Sequence, residues 1–244
     1  NSIYIRKTQT LFYEKWNEDV DDEISDYSSK FIIRHNLSRV RFKHKLSNKK
    51  IDNGIFLGCT FSFNYYHFLL ELVSRVAYLE SIPNSKLIPI ILSNEFLKFE
   101  SFKKLIHVFF KDYTILYLND DYIYDVENLW YVTSPNITLP NVRFGNKFEV
   151  NHTKLNAESI LFLRNKCFNF VINYNLEVKT YKKVFIKRKS EIRSYNQDEI
   201  EKKAISFGFQ SIYFENLSFE GQVLVTQNAD YIIGPTGAAW TNLV

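Results

Sequence analysis

From Val184 onward, short apolar runs alternate with amphipathic stretches of about ten residues, and that rhythm leaves few folds open. Val184 to Lys187 reads as a strand, and Gln197 to Phe207 as a helix capped by Asn196 and stopped at Gly208. Gln210 to Phe214 is the next strand, Ser218 to Thr226 a helix with Ser218 as cap, and Asp230 to Ile233 a third strand. After Gly234-Pro235-Thr236-Gly237 a further helix begins and is still running at Val244. Strands interleaved with helices of this length join through right-handed crossovers into a parallel, doubly wound α/β sheet.

The first half repeats the theme less cleanly. Phe31 to Arg34, Val40 to Lys43 and Ile55 to Cys59 read as strands. A helix capped by Asn64 follows, with Phe68, Leu69, Leu72, Val73, Val76 and Leu79 at helical spacing until Pro83. Leu87 to Leu92 is a buried strand, Phe96 to Phe110 an amphipathic helix, Thr114 to Leu118 a strand, and Tyr122 to Val132 a Tyr/Trp-rich strand pair. Residues 1–30 are a polar lead-in. The stretch from Ser134 to Asn151, with two prolines and no period, marks a domain boundary, so the expected units are 1–150 and 151–244, the second opened by a helix from Lys154 to Val171.

Composition narrows the function classes. With 45% hydrophobic and 24% charged residues, the chain is globular rather than disordered. Cys59 and Cys167 stand far apart, which suggests neither a disulfide framework nor a zinc site. The net charge of +4 comes from basic residues that are dispersed except at Lys182-Lys183, Lys187-Arg188-Lys189 and Lys202-Lys203, and it suits an anionic small molecule or an acidic surface at least as well as nucleic acid. No apolar run approaches the roughly 20 residues of a membrane-spanning helix. A start at Asn1 and a stop within a helix read as a piece of a longer chain, and the lack of a signal segment leans toward the cytoplasm. Sequons at Asn36, Asn136, Asn151 and Asn216 are close to the number that a chain so rich in Asn, Ser and Thr carries by chance and say little about secretion.

Three places carry candidate chemistry. At Ile232 to Asn242 an apolar strand ends in a glycine turn and enters small residues, Gly237-Ala238-Ala239, so free backbone N–H groups leave the sheet's carboxyl edge as a phosphate seat. Thr236 or Thr241 adds a hydroxyl; an ordinary strand-to-helix connection fits the same residues. Neither G-x-G-x-x-G nor G-x-x-x-x-G-K-[ST] occurs, which disfavours NAD and P-loop chemistry. Arg188, Arg193 and Asn196 follow the strand at Val184 to Lys187 and share that carboxyl edge, where guanidinium groups clamp phosphate; the competing reading is a solvated basic loop. Asn64, His67, Glu71 and Arg75 lie along one face of the first helix. His67 and Glu71 suit a coupled general base, while Glu71–Arg75 also reads as a surface i,i+4 pair and His67 as a satisfied core residue.

The ordered set resembles glycosyltransferase family 61. Asn64-Tyr65-Tyr66-His67-Phe68-Leu69-Leu70-Glu71 with Arg75 is similar to the family's N-x-x-H-[WF]-x-x-[DE]…R signature. Phe185-Ile186-Lys187-Arg188 with Arg193 and Asn196, then Glu215, Ser218, Gln222, Ala229-Asp230 and Gly234 to Leu243, extend it over residues 55–82 and 182–244. The resemblance implies a GT-B-like pair of Rossmann-type domains, the C-terminal one incomplete, that transfers sugar from a nucleotide-sugar donor, expected to be UDP-linked, to a glycan or other hydroxyl acceptor with inversion. It implies surface-polysaccharide or glycoprotein-glycan synthesis. It places the donor on Arg188, Arg193, Asn196, Glu215, Gln222, Thr236, Gly237, Ala238, Thr241 and Asn242, the base at Glu71 or His67, and Asn64 and Arg75 in support. No metal or other cofactor is obligatory, and no nucleic-acid partner is implied. Thr236 stands where the family pattern has His. Peripheral membrane association, membership of a multidomain chain and, in a eukaryote, a secretory lumen are compatible with this reading. The rival is a non-catalytic nucleotide- or glycan-binding module derived from such a transferase.

Overall fold

A computed structural model describes residues 32–35, 40–42, 49–58, 62–119, 122–138, 153–172, 178–189 and 195–243. The lead-in, Cys59, Asp120-Asp121, Arg193 and most of the expected domain boundary lie outside these residues.

Ile32–His35 (β1) and Val40–Phe42 (β2) pair antiparallel as a two-stranded ribbon. Lys49–Phe56 (β3), Ile90–Ser93 (β4), Ile115–Leu118 (β5) and Tyr124–Tyr131 (β6) build an all-parallel sheet in the order β5-β4-β3-β6. The expected strand pair over Tyr122 to Val132 is thus a single strand. That stretch contains no Gly or Pro to turn the chain, and its polar residues fit an edge strand beside β3. The same partnership extends β3 back to Lys49, ahead of the apolar run at Ile55. β4 starts only at Ile90, because Pro89 has no N–H for a ladder and Leu87 sits 84% exposed in a short 3₁₀ turn.

The first helix, α1, is a composite: one α-turn at Tyr65–His67, a π segment at Phe68–Leu72 and a 3₁₀ stretch at Val73–Ser81. Asn64 caps it as expected, its side chain accepting from the Tyr66 N–H at 2.9 Å. Glu100–Phe110 (α2) follows a 3₁₀ turn at Asn94–Lys98, and Phe102 stacks on Phe68 with ring centroids 4.0 Å apart.

Ile137–Thr138 (β7) and Thr153–Lys154 (β8) pair antiparallel, and Ala157–Ile172 (α3) follows. The second parallel sheet contains Lys183–Lys187 (β9), Gln210–Tyr213 (β10) and Tyr231–Ile233 (β11) in the order β10-β9-β11, alternating with helices Gln197–Ser206 (α4) and Phe219–Asn228 (α5). Ser218 caps α5 through Gly221 N–H, but Asn196 does not cap α4 with its side chain; its amide donates to Glu199 instead. After the glycine turn the chain forms a 3₁₀ turn at Ala238–Leu243 rather than an α-helix, held by Trp240 Nε1 donating to the Pro235 carbonyl at 2.7 Å.

One apolar core spans the middle of the molecule. It joins Ile55, Leu72 and Phe110 to Leu163 and Val171 of α3 and to Phe219 and Val223 of α5. A smaller cluster under the second sheet contains Val184, Ile186, Phe214 and Val225. In each sheet the strand order reverses once, between β3 and β6 and between β9 and β11. Open α/β sheets hold ligands outside the carboxyl ends of their strands at such reversals. No helix among the described residues is long and apolar enough to cross a membrane.

Candidate functional site

At the second reversal, β9 hands over to Arg188 and β11 to the glycine turn, which brings the two expected phosphate-binding segments together. The Arg188 guanidinium donates to the Thr236 carbonyl. Two glycines make this approach feasible. A Cβ on Gly234 would come within 2.9 Å of the Ile186 carbonyl oxygen, and one on Gly237 within 2.5 Å of Arg188 Nη2. Gln197, which no sequence motif singles out, holds the Arg188 backbone by accepting its N–H at 2.8 Å, and also accepts from the Tyr195 hydroxyl. Beside it Lys187 and Glu201 pair at 2.5 Å; their bond raises the lysine's pKa and lowers the glutamate's.

The other candidate donor residues fall into two groups. Thr236, Asn196 and Glu215 are exposed at this carboxyl edge, Gly237 and Ala238 are half-buried in the turn, and Thr241 is buried with an Oγ1 that makes no hydrogen bond. Gln222 and Asn242 are engaged inside the protein. Asn242 Nδ2 donates to Gln222 Oε1 at 2.8 Å, and Gln222 Nε2 donates to the carbonyls of Phe214 and Leu217.

On α1, His67 Nδ1 lies 3.0 Å from Glu71 Oε1. Glu71 is 7% exposed and also accepts the Thr138 backbone N–H at 3.0 Å. The π segment that presents it has an identifiable cause. Asn136 Nδ2 and Ser74 Oγ both donate to the Leu70 carbonyl, and Ser134 Oγ donates to that of Glu71, so these acceptors are drawn out of the regular i→i+4 ladder. Asn136 is itself 1% exposed, accepts from Asn156 N–H and donates to Ser159 Oγ, which closes this sequon to modification in the folded protein.

Arg75 corrects the surface-pair reading. It is 2% exposed and does not pair with Glu71; it donates to the Gly58 carbonyl at 3.3 Å and lies 5.0 Å from the Tyr131 ring, with Nε unbonded. Gly58 and Tyr131 follow and end β3 and β6, so this guanidinium sits at the reversal of the first sheet. Among the described residues no three His, Cys, Asp or Glu side chains converge as a metal site.

The two surfaces meet. Tyr65, the first residue of α1, donates its hydroxyl to Asn242 Oδ1 at 2.7 Å, and its neighbour Tyr66 bonds Thr138 Oγ1 at 2.9 Å. Sequence spacing displayed His67, Glu71, Arg188 and Gly237, but Tyr65, Ser134, Asn136, Thr138 and Gln197 carried no local signal, because the partners of most of them lie dozens of residues away. A family model described as Glycosyltransferase 61 matches residues 65–244. No curated protein matches the chain.

Proposed function

The chain belongs to glycosyltransferase family 61, and on that premise we propose that it is an inverting transferase of GT-B type, moving a sugar from a UDP-linked donor to a hydroxyl on a glycan acceptor. The observation that carries this reading is the meeting of Arg188 with the Thr236-Gly237 turn, joined through Asn242 and Tyr65 to the helix bearing His67 and Glu71. The donor diphosphate lies against Arg188 and the N–H groups around Gly237. The Thr241 hydroxyl, with Thr236 and Ala238, lines the turn, and Asn196 and Glu215 flank it.

Transfer is a single displacement. The acceptor oxygen attacks the anomeric carbon, the bond from that carbon to the nucleotide's phosphate oxygen breaks on the opposite face, and the acceptor proton passes to the base. With Nδ1 facing Glu71, His67 takes the proton at Nε2, while the buried carboxylate orients the ring and stabilises the imidazolium. Charge appearing on the departing diphosphate is met by the fixed guanidinium and backbone donors, which makes a metal non-obligatory.

The test is nucleotide release from UDP-sugars, with and without acceptor and with EDTA. Release that survives EDTA and falls at least about 100-fold in both Arg188→Ala and His67→Ala supports the enzyme. Tight UDP binding with no release from any sugar donor assigns a non-catalytic module instead, the reading that Thr236 in the glycine turn favours.

A further inference from the structure

Gln222 and Asn242 have the sequence context of donor ligands, yet each of their side-chain polar atoms already has a partner in the protein. Their bonds form one directional chain: Tyr65 hydroxyl to Asn242 Oδ1 at 2.7 Å, Asn242 Nδ2 to Gln222 Oε1 at 2.8 Å, and Gln222 Nε2 to the Phe214 carbonyl at 2.9 Å. We infer that Tyr65, Asn242 and Gln222 act as a positioning relay that fixes the phosphate turn against the helix carrying His67 and Glu71, so that nucleotide in the turn stiffens that helix.

The placement is specific. Tyr65 opens α1 two residues before His67. Asn242 lies in the 3₁₀ turn that continues from Gly237, and Gln222 ties down the loop that carries Glu215 between Phe214 and Leu217. The remaining contacts across this junction include apolar packing, such as Phe170 on Phe219, and the Lys104–Glu220 ion pair on its other elements. Apolar packing holds surfaces together without fixing direction, whereas a bonded phenol–amide–amide chain sets register, and a misplacement of about 1 Å between reacting groups can cost roughly 100-fold in rate. Burial pushes the Tyr65 phenol's pKa up, so it stays protonated and donating. Bonds aligned donor to acceptor polarise one another, which makes the three residues a unit.

The kinetic part of this inference rests on the transferase reading; the structural part does not, and the experiment separates them. Hydrogen exchange of the whole chain is followed with and without UDP in wild type, Tyr65→Phe, Asn242→Ala and the double variant, alongside kcat and donor KM. UDP is expected to slow exchange at residues 236–242 and 64–72 in wild type, but only at 236–242 in Tyr65→Phe. In that variant kcat falls roughly 10- to 100-fold with donor KM within about three-fold, and the double variant is no slower than the worse single one. Four results overturn the relay: no protection of 64–72 in wild type, equal protection there in Tyr65→Phe, single effects that multiply in the double variant, or a KM rise that accounts for the whole loss and so makes Asn242 a ligand. Absence of protection at 236–242 in wild type overturns the donor site, and the relay with it.

Discussion

Gly237 and Arg188 are defined by each other: the guanidinium occupies the space that any side chain at position 237 would need. Gly237→Ala should therefore displace Arg188 and weaken UDP binding by an order of magnitude or so, about 1.4 kcal/mol, without loss of fold; titration calorimetry reads this, and unchanged affinity contradicts the seat. Arg75 poses the opposite problem, a buried cation that among the described residues faces the Gly58 carbonyl and the Tyr131 ring and no carboxylate. A buried charge without a counter-ion is costly to keep, so Arg75→Met should leave the thermal midpoint unchanged or higher while transfer falls. A lower midpoint with full activity would make it structural. Both residues were visible in the sequence as basic positions near strand ends or on a helix face. The glycine turn was expected on the carboxyl edge that carries Arg188, but the surroundings of Arg75 were not legible, because Gly58 and Tyr131 reach it only through strand pairing.

At the level of elements, the strands and helices of the second half were legible because their apolar runs are short, continuous and capped by Ser218 or stopped at Gly208. The features that escaped were those set by tertiary bonds. The periodicity of Phe68 to Leu79 signals a helix, but not that Asn136, Ser134 and Ser74 draw its carbonyls into a π segment. Likewise Trp240 bonding Pro235 turns an expected terminal α-helix into a 3₁₀ turn. Asn136→Ala leaves the Leu70 carbonyl short of one donor and Asn156 N–H without its acceptor. It should cost about 2–4 kcal/mol in urea unfolding and lower kcat more than KM, since Glu71 is presented from the same segment. A stability loss under about 0.5 kcal/mol would mean that the π segment has another cause.

Across the whole molecule, two parallel sheets each end in a reversal of strand order with an arginine at it, and one apolar core binds the elements between them. The sequence displayed the sheets and the family resemblance. It did not display the junction, where Lys104 of α2 meets Glu220 of α5 at 2.6 Å and Tyr65 meets Asn242. Burial works to raise the Glu220 carboxyl, but the Lys104 bond and the α5 N-terminus hold its pKa below the ordinary 4.5. A depressed folded pKa contributes stability that is complete above the unfolded value and is lost as pH falls through the folded one. Thermal midpoints should therefore drop more steeply below about pH 4.5 in wild type than in Glu220→Gln; equal slopes would remove this pair from the acid response. The central claim, that a nucleotide's diphosphate is held where β9 and β11 diverge, is tested most directly by a crystal structure with UDP. Diphosphate oxygens within hydrogen-bond reach of the Arg188 guanidinium and the Gly237 backbone are the predicted result, and diphosphate bound elsewhere, with this turn unvisited, would contradict it.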